Sequence, residues 1–335
     1  MEDTKSLQKV LFKEIEGRIK LEDESLKFKD KSYEYWTKTT KEGNYTKYLR
    51  KKIDSTEIET YWDGDVEAKG KKFFSTGDVA VSNNDELLGY SIDDKGSEYF
   101  TIYIRKISDK KIIEEPIVET AGGITWAYDD LSFFYSKLDD LHRPRKIYQH
   151  KLGTPVKDDK LIYEEKDDTF NCYVYKSKSE KFIVINSSST LSDEYRLISS
   201  EKPLSSPKVF QPRLKGLEYS IYHKDDLFYI LTNEDHHNFS LKTCNINSTE
   251  KENWNTYING QDDILIEGDA LHLLHDKPVK FLLRSIDVLH NFYVPQFRAK
   301  MDTLPGIITF YWFTPTRTGD FEILCAEYCG TGHYA

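Results

Sequence analysis

Apolar and polar residues alternate in short runs along most of this 335-residue chain. Between positions 75 and 235 the runs come in pairs, and an acidic or amide-rich turn separates the two members of each pair. Alternation with a period of two is typical of β-strands, so each pair predicts a hairpin. The paired runs are 79–82 with 87–90, 124–128 with 133–135, 172–175 with 182–185, and 219–222 with 227–230.

The hairpins recur at a nearly constant interval. Their turns contain Asp85, Asp130, Glu180 and Asp226, which are separated by 45, 50 and 46 residues. This is the period of a four-stranded propeller blade, and three near-equal intervals favour a propeller over a chance succession of generic hairpins. We therefore predict a partial β-propeller of about four blades at 75–268.

The two ends of the chain differ from this repeat. Residues 5–20 carry an apolar stripe at helical spacing, which predicts an amphipathic helix ahead of a few lead-in strands. One further hairpin is expected at 272–276, after which the repeat is lost. The predicted class is mainly β, with a helix and lead-in strands in 1–74, the propeller segment next and a further domain in 269–335.

Composition narrows the functional classes. The 23 Tyr and 18 Phe favour β structure, and the net charge of −10 argues against a nucleic-acid-binding surface. No apolar signal-peptide core and no run of 18 apolar residues occurs, so we expect a cytoplasmic protein without a transmembrane segment of its own. Four cysteines are too few for a disulfide framework, and Cys172 and Cys244 lie in alternating apolar runs that predict buried, reduced thiols.

The last residues of the chain carry the candidate chemistry. Cys325, Cys329 and His333 are spaced four apart, and His290 precedes them as the fourth soft donor. Two thiolates and two imidazoles suit copper or zinc, and tetrahedral zinc binding stays an alternative to copper. Cysteines that simply pack in a core are the remaining interpretation of this cluster.

Five short segments, at 16–20, 126–130, 153–155, 161–169 and 263–268, match a known pattern. Through them the segment 7–268 resembles the N-terminal part of oligopeptidase B, in the prolyl oligopeptidase family of serine peptidases (peptidase S9). In that family a seven-bladed propeller caps an α/β-hydrolase domain and filters substrates by size. No Gly-x-Ser-x-Gly nucleophile motif occurs in this chain, so we expect no peptidase activity from it alone. Peptide contact by a non-catalytic propeller module is the alternative function.

The segment 269–335 resembles the copper A domain of cytochrome c oxidase subunit II, through 277–290, 297–302, 312–315 and the cysteine segment. The resemblance implies a partial cupredoxin-like β-barrel and a binuclear copper site for electron transfer. It also implies other oxidase subunits and a cytochrome c-type donor as partners. The implied ligands are the two bridging thiolates of Cys325 and Cys329, the imidazoles of His290 and His333 and the carbonyl of Glu327, with Asp287 orienting the His290 loop.

Three departures from the copper A pattern bear on this hypothesis. The family's methionine ligand would fall at position 336, the aromatic strand that admits the electron has no counterpart, and the transmembrane hairpin is missing. The implied location also differs, because copper A domains belong to membrane complexes that face the periplasm or intermembrane space. The sequence thus predicts a composite joined near 263–278, with an impaired copper site or, as a third hypothesis, a fused gene product with neither activity.

Overall fold

The computed structural model describes residues 4–236, 238–258, 271–286 and 288–327. The chain divides into two compact units, Met1–Gly260 and Gln261–Ala335. The described residues are mainly β, as predicted. The domain bounds derived from the sequence stay predictions.

In the first unit, the described strands form five successive antiparallel blades. Blades 2 and 3 are continuous through a single pair, Lys137 with Thr120, and the other blades are separate sheets. Blade 1 contains β1 Asp23–Glu24, β2 Phe28–Asp30, β3 Tyr33–Thr39, β4 Lys47–Lys52 and β5 Ile58–Asp63; blade 2 contains β6 Ser75–Val81, β7 Leu87–Asp93, β8 Phe100–Lys106 and β9 Ile117–Thr120; blade 3 contains β10 Thr125–Trp126, β11 Ser132–Leu138, β12 Pro144–Lys151 and β13 Lys160–Glu164; blade 4 contains β14 Asn171–Lys176, β15 Phe182–Ser188, β16 Asp193–Ser199 and β17 Lys208–Val209; blade 5 contains β18 Tyr219–Lys224, β19 Leu227–Thr232, β20 Ser240–Asn245 and β21 Asn255–Ile258.

Helices are short in this unit. The predicted N-terminal helix is present as α1, Lys5–Arg18, but none of its residues is buried. Its apolar stripe, including Leu7 and Ile15, is therefore exposed. In the part of this unit that the structure describes, the other helical segments are α2, Gly64–Glu67, and the 3-10 turns Val156–Asp158 and Lys251–Asn253.

The repeated turns are built alike. Ser82, Ala127 and Ser177 precede the turns of blades 2, 3 and 4. The carbonyl oxygen of each accepts a hydrogen bond from the backbone amide three residues later, and its own amide donates to the carbonyl five residues later. Asp85, Asp130 and Glu180 occupy the same turn position with φ of 63°, 53° and 58°. Short polar residues adopt this left-handed conformation more readily than most, which explains why acidic and amide residues mark the repeat. Blade 5 uses a two-residue turn instead, with Asp225 at φ 55°.

Apolar side chains between adjacent blades form the core. Successive strand residues point to opposite faces, so Phe133 packs toward blade 2 and Phe134 toward blade 4. Cys172 and Cys244 are buried in these clusters, as predicted, and burial raises the pKa of each thiol to about 12. Among the described residues, four clusters occupy the four junctions between the five blades: 1 with 2 around Tyr35, Trp62 and Tyr90; 2 with 3 around Ile104 and Trp126; 3 with 4 around Ile147 and Ile183; 4 with 5 around Phe210 and Phe228.

Polar contacts link the turns of neighbouring blades. The Asp130 carboxylate accepts the Asn83 backbone amide at 2.6 Å and the Asn83 side-chain amide at 2.8 Å. The Tyr35 hydroxyl donates to the Asp85 carboxylate at 2.8 Å, and Arg50 donates to the Asp85 carbonyl at the same distance. The turn residues therefore fix one blade against the next as well as reversing the chain.

Replacing Asp130 tests this role. Asp130→Ala removes both acceptor contacts to Asn83 and places alanine at a left-handed position, and we expect a loss of about 1–3 kcal/mol in the free energy of unfolding. Asp130→Asn keeps a side-chain oxygen and tolerates the same backbone, so it should cost less than about 1 kcal/mol in urea denaturation. Equal losses in the two variants would contradict the assigned contacts.

A buried histidine joins blades 2 and 3. His150 is fully buried; its Nδ1 lies 2.6 Å from the Asp159 carboxylate and its Nε2 lies 3.5 Å from the Glu114 carboxylate. The Tyr135 hydroxyl donates to the second Asp159 oxygen at 2.7 Å. Burial alone lowers the pKa of His150, but the hydrogen bonds and charges of the two carboxylates outweigh it and raise the pKa above 6.5.

This raised pKa gives a signed pH dependence. The imidazolium contribution is complete below pH 6.5, where the unfolded histidine is also protonated, and is lost as the pH rises through the higher pKa of the folded state. We expect His150→Gln to destabilise the blades by about 3 kcal/mol at acidic pH and by less at alkaline pH, in tryptophan-monitored denaturation. A difference between wild type and variant that does not change with pH would contradict the assignment.

The second unit is smaller. It contains β22 Val279–Leu283 paired with β25 Thr309–Phe313, and β23 His290–Val294 paired with β24 Ala299–Thr303, with a 3-10 turn at Pro295–Phe297. The hairpin expected at 272–276 was wrong: 271–278 contains no strand. The Asp276 amide instead donates to the Pro315 carbonyl at 2.8 Å, so this segment belongs to the second unit rather than to the blade repeat.

Candidate metal centre

The first predicted histidine and cysteine lie on neighbouring segments. His290 begins β23, and Tyr293 in the same strand forms an antiparallel bridge to Leu324. The amide of each bridge residue donates to the carbonyl of the other, at 3.0 and 2.8 Å. Because the pairing is antiparallel, the chain leaves Leu324 through Cys325 toward the end of β23 at which His290 lies.

Two predicted donors face one another after this bridge. The Cys325 thiol donates a hydrogen bond to the Glu327 carbonyl, with Sγ 3.5 Å from the oxygen, and both residues are half-buried. A sulfur and an oxygen on one tetrahedral metal ion, at ordinary bond lengths, are separated by about 3.6 Å. The spacing of these two atoms is therefore compatible with one shared metal ion.

Three predicted residues complete the metal site implied by the sequence. Cys329, His333 and Asp287 lie outside the described residues. Within 4–236, 238–258, 271–286 and 288–327, no group of three or more His, Cys, Asp or Glu side chains is arranged to hold a metal ion. The full ligand set stays a prediction.

Aromatic packing fixes the backbone around the donors. Phe281 and Phe313, from paired strands, stack with ring centroids 5.4 Å apart, and Phe281 also lies 5.1 Å from Phe292. Phe297 contacts Phe313 at 5.0 Å and Phe321 at 4.7 Å. Phe292 lies two residues beyond His290, and Phe321 lies four before Cys325. The aromatic cluster therefore restrains both donor-bearing segments.

Two polar contacts near the donors had not been anticipated. Lys300 Nζ lies 3.8 Å from the Glu327 carboxylate, and the buried Asn291 donates to Asp302 at 2.7 Å. Lys300 is half-exposed, so its attraction to Glu327 is weak. Lys300 and Asp302 lie in the segment 297–302, which resembles oxidase subunit II. That resemblance was the only feature of the sequence that indicated a role for these two residues.

A second feature belongs to the propeller unit. A cavity of about 380 Å³ is lined by inner strands of blades 2, 3 and 4, including Asp78, Trp126, Tyr175 and Lys176. Burial raises the pKa of Asp78, although the amides of Ile124 and Val79 partly oppose it, and burial lowers the pKa of Lys176. The cavity thus presents both signs of charge beside aromatic rings.

Comparison with known proteins agrees with this architecture. Residues 1–287 match the family model described as prolyl oligopeptidase, N-terminal beta-propeller domain. Dipeptidyl aminopeptidase BI of Pseudoxanthomonas mexicana is 29% identical over 292 residues, covering 81% of this chain and 40% of that protein. The structure of oligopeptidase B from Leishmania major superposes with a TM-score of 0.74 at 23% identity, covering 92% of this chain and 44% of that one.

A separate similarity concerns a shorter stretch. The alternative cytochrome c oxidase subunit 2 of Bradyrhizobium diazoefficiens is 64% identical over 75 residues, covering 22% of this chain and 27% of that protein. The chain therefore spans less than half the length of each of these relatives. In the described part of the chain, none of the helices has the length and apolar character needed to cross a membrane.

The family model covers most of the chain, and five packed blades precede residue 260. The chain therefore belongs to the prolyl oligopeptidase N-terminal β-propeller family. Its resemblance to oxidase subunit II is confined to a short segment.

Breaking the bridge to Leu324 tests the geometry of the donors without any metal. Leu324→Pro removes the amide that donates to Tyr293, so we expect the Cys325 segment to separate from β23. The half-buried Cys325 should then react several-fold faster with a thiol reagent, measured by peptide mass spectrometry. Leu324→Ala keeps the amide and is the matched control; equal rates in the two variants would contradict the bridge.

Proposed function

We propose that the C-terminal unit binds copper in a two-metal site of copper A type and serves in electron transfer. The observation that carries the proposal is the approach of the Cys325 Sγ to the Glu327 carbonyl, on a segment hydrogen-bonded to the strand of His290. The 64% identity to an oxidase subunit 2 over 75 residues supports it. Other oxidase subunits and a cytochrome c-type donor are the proposed partners.

The donor chemistry fits this group. Thiolate and imidazole ligands favour copper over hard cations, and Cys325, Cys329, His290 and His333 supply two of each. The Glu327 carbonyl would be a weak additional ligand. Bound copper would accept and release one electron, and the aromatic cluster around Phe281 and Phe313 would hold the ligand segments still during that exchange.

Copper loading tests the proposal. The full chain, reduced and then loaded with copper, should retain two copper ions with an unpaired electron shared between them in the EPR spectrum. Cys325→Ser should abolish the shared signal, because one bridging thiolate is lost. Cys172→Ala is the matched control, since that buried cysteine lies in the blade core and should leave the signal unchanged.

Other loading results would contradict the proposal. One tightly held zinc ion per chain that Cys325→Ser releases would assign the cluster to zinc. No retained metal, or equal retention in Cys325→Ser, would make these residues a relic of a joined gene with no copper function.

A second candidate is peptide contact by the propeller. The cavity lined by Asp78, Trp126 and Lys176 favours it, because a peptide offers charged termini and apolar side chains to such a lining. Titration calorimetry with short peptides tests this candidate, and Lys176→Ala should weaken any binding by at least about fivefold. Undiminished binding would place the contact elsewhere.

A further inference from the structure

The outer face of blade 5 is an apolar surface, and no other blade of the first unit packs against it among the described residues. We define it by Tyr222, Tyr229, Leu231, Leu241, Tyr257 and Ile258. The strand register places them together: Leu231 lies opposite Leu241, Leu241 opposite Ile258, and Tyr222 opposite Tyr229. The ring of Tyr257 meets that of Tyr229 at 5.6 Å.

This face carries the pattern of a blade junction but is exposed. On blade 4, Val184 and Tyr195 are 2% and 6% exposed because blade 5 covers them. On the outer face of blade 5, by contrast, Leu231 is 42%, Tyr222 56% and Tyr257 62% exposed. Contiguous exposed apolar residues of this kind mark an interaction surface.

The opposite end of the blade series has different chemistry. On the outer face of blade 1, Lys51 pairs with Glu34 at 3.3 Å, and Lys27 covers the Trp36 ring at 4.5 Å. Stacking blade 5 of one copy on blade 1 of another would bury these charges against apolar groups, which is costly. The outer face of blade 5 is uncharged at its centre. Pairing this face symmetrically between two copies of the chain therefore avoids the cost of burying charges.

We propose that the outer face of blade 5 forms a symmetric dimer interface with a second copy of this chain. Four strands about 4.8 Å apart and about six residues long give a face of roughly 400 Å² in projection. Two such faces bury about 800 Å² in total, which is less than stable complexes bury, so the dimer is weak and dissociates in the micromolar range or above. The proposal is independent of the copper site.

Sedimentation velocity on the full chain tests the dimer, with chelator and reductant present so that metal or thiol association is excluded. Wild type should pass from monomer to dimer between low and high micromolar concentration. Leu231→Lys and Tyr222→Lys should each raise the dissociation constant at least about tenfold, because they place a charge in the interface. Ile58→Lys is the matched control: Ile58 is 54% exposed on the outer face of blade 1, opposite Lys51.

Circular dichroism and melting curves of each variant test whether the substitution leaves the blades folded. A wild-type chain that stays monomeric throughout would overturn the proposal. So would dissociation by Ile58→Lys to the same degree as by Leu231→Lys, or a dimer that withstands both blade 5 variants.

Discussion

Apolar contact between adjacent sheets is the interaction on which the first unit depends. Blades 2, 3 and 4 each have an apolar face toward both neighbours and no core of their own, so each of them is stable only between those neighbours. Neighbouring residues of one strand, such as Phe133 and Phe134, serve different junctions. Substituting one of these residues therefore weakens packing at one junction. Loss of an inner blade would remove both of its junctions.

The polar contacts depend on this packing and refine it. The Asp130–Asn83 link and the buried His150 with its two carboxylates lie where blades are already held together by apolar contact. Burying these groups costs desolvation free energy, and their hydrogen bonds offset that cost. Because hydrogen bonds are directional, they also fix the position of one blade against the next. In the second unit the Tyr293–Leu324 bridge has a comparable role, because it aligns the donor segments that the aromatic cluster restrains.

The sequence located structural features where the local backbone restricts the residue type. The repeated turn imposes a left-handed backbone, which short polar residues such as Asp accept more readily than most. Polar residue type and spacing were therefore enough to locate the turns of Asp85, Asp130 and Glu180. The spacing of Cys325 from Cys329 and His333 predicts soft-metal chemistry, and that ligand set stays a prediction.

The rest depended on tertiary contacts. Blade 1 was predicted only as lead-in strands, because β4 is mostly lysine and arginine and shows little apolar alternation; Arg50 is nonetheless buried against Tyr33 and Glu59. The expected hairpin at 272–276 had a suitable pattern, but its Asp276 amide pairs with Pro315. The Lys300–Glu327 contact joins residues from distant segments that no spacing rule connects.

One chain with a packed propeller segment and a second unit proposed to bind copper should respond to copper in the second unit alone. Amide hydrogen exchange of the full chain, measured with and without added copper, separates the two units. We expect slower exchange in β23, β24 and the segment 322–327 on copper addition, with no change in the five blades. Protection spread through the blades, or none in the donor segments, would contradict this expectation.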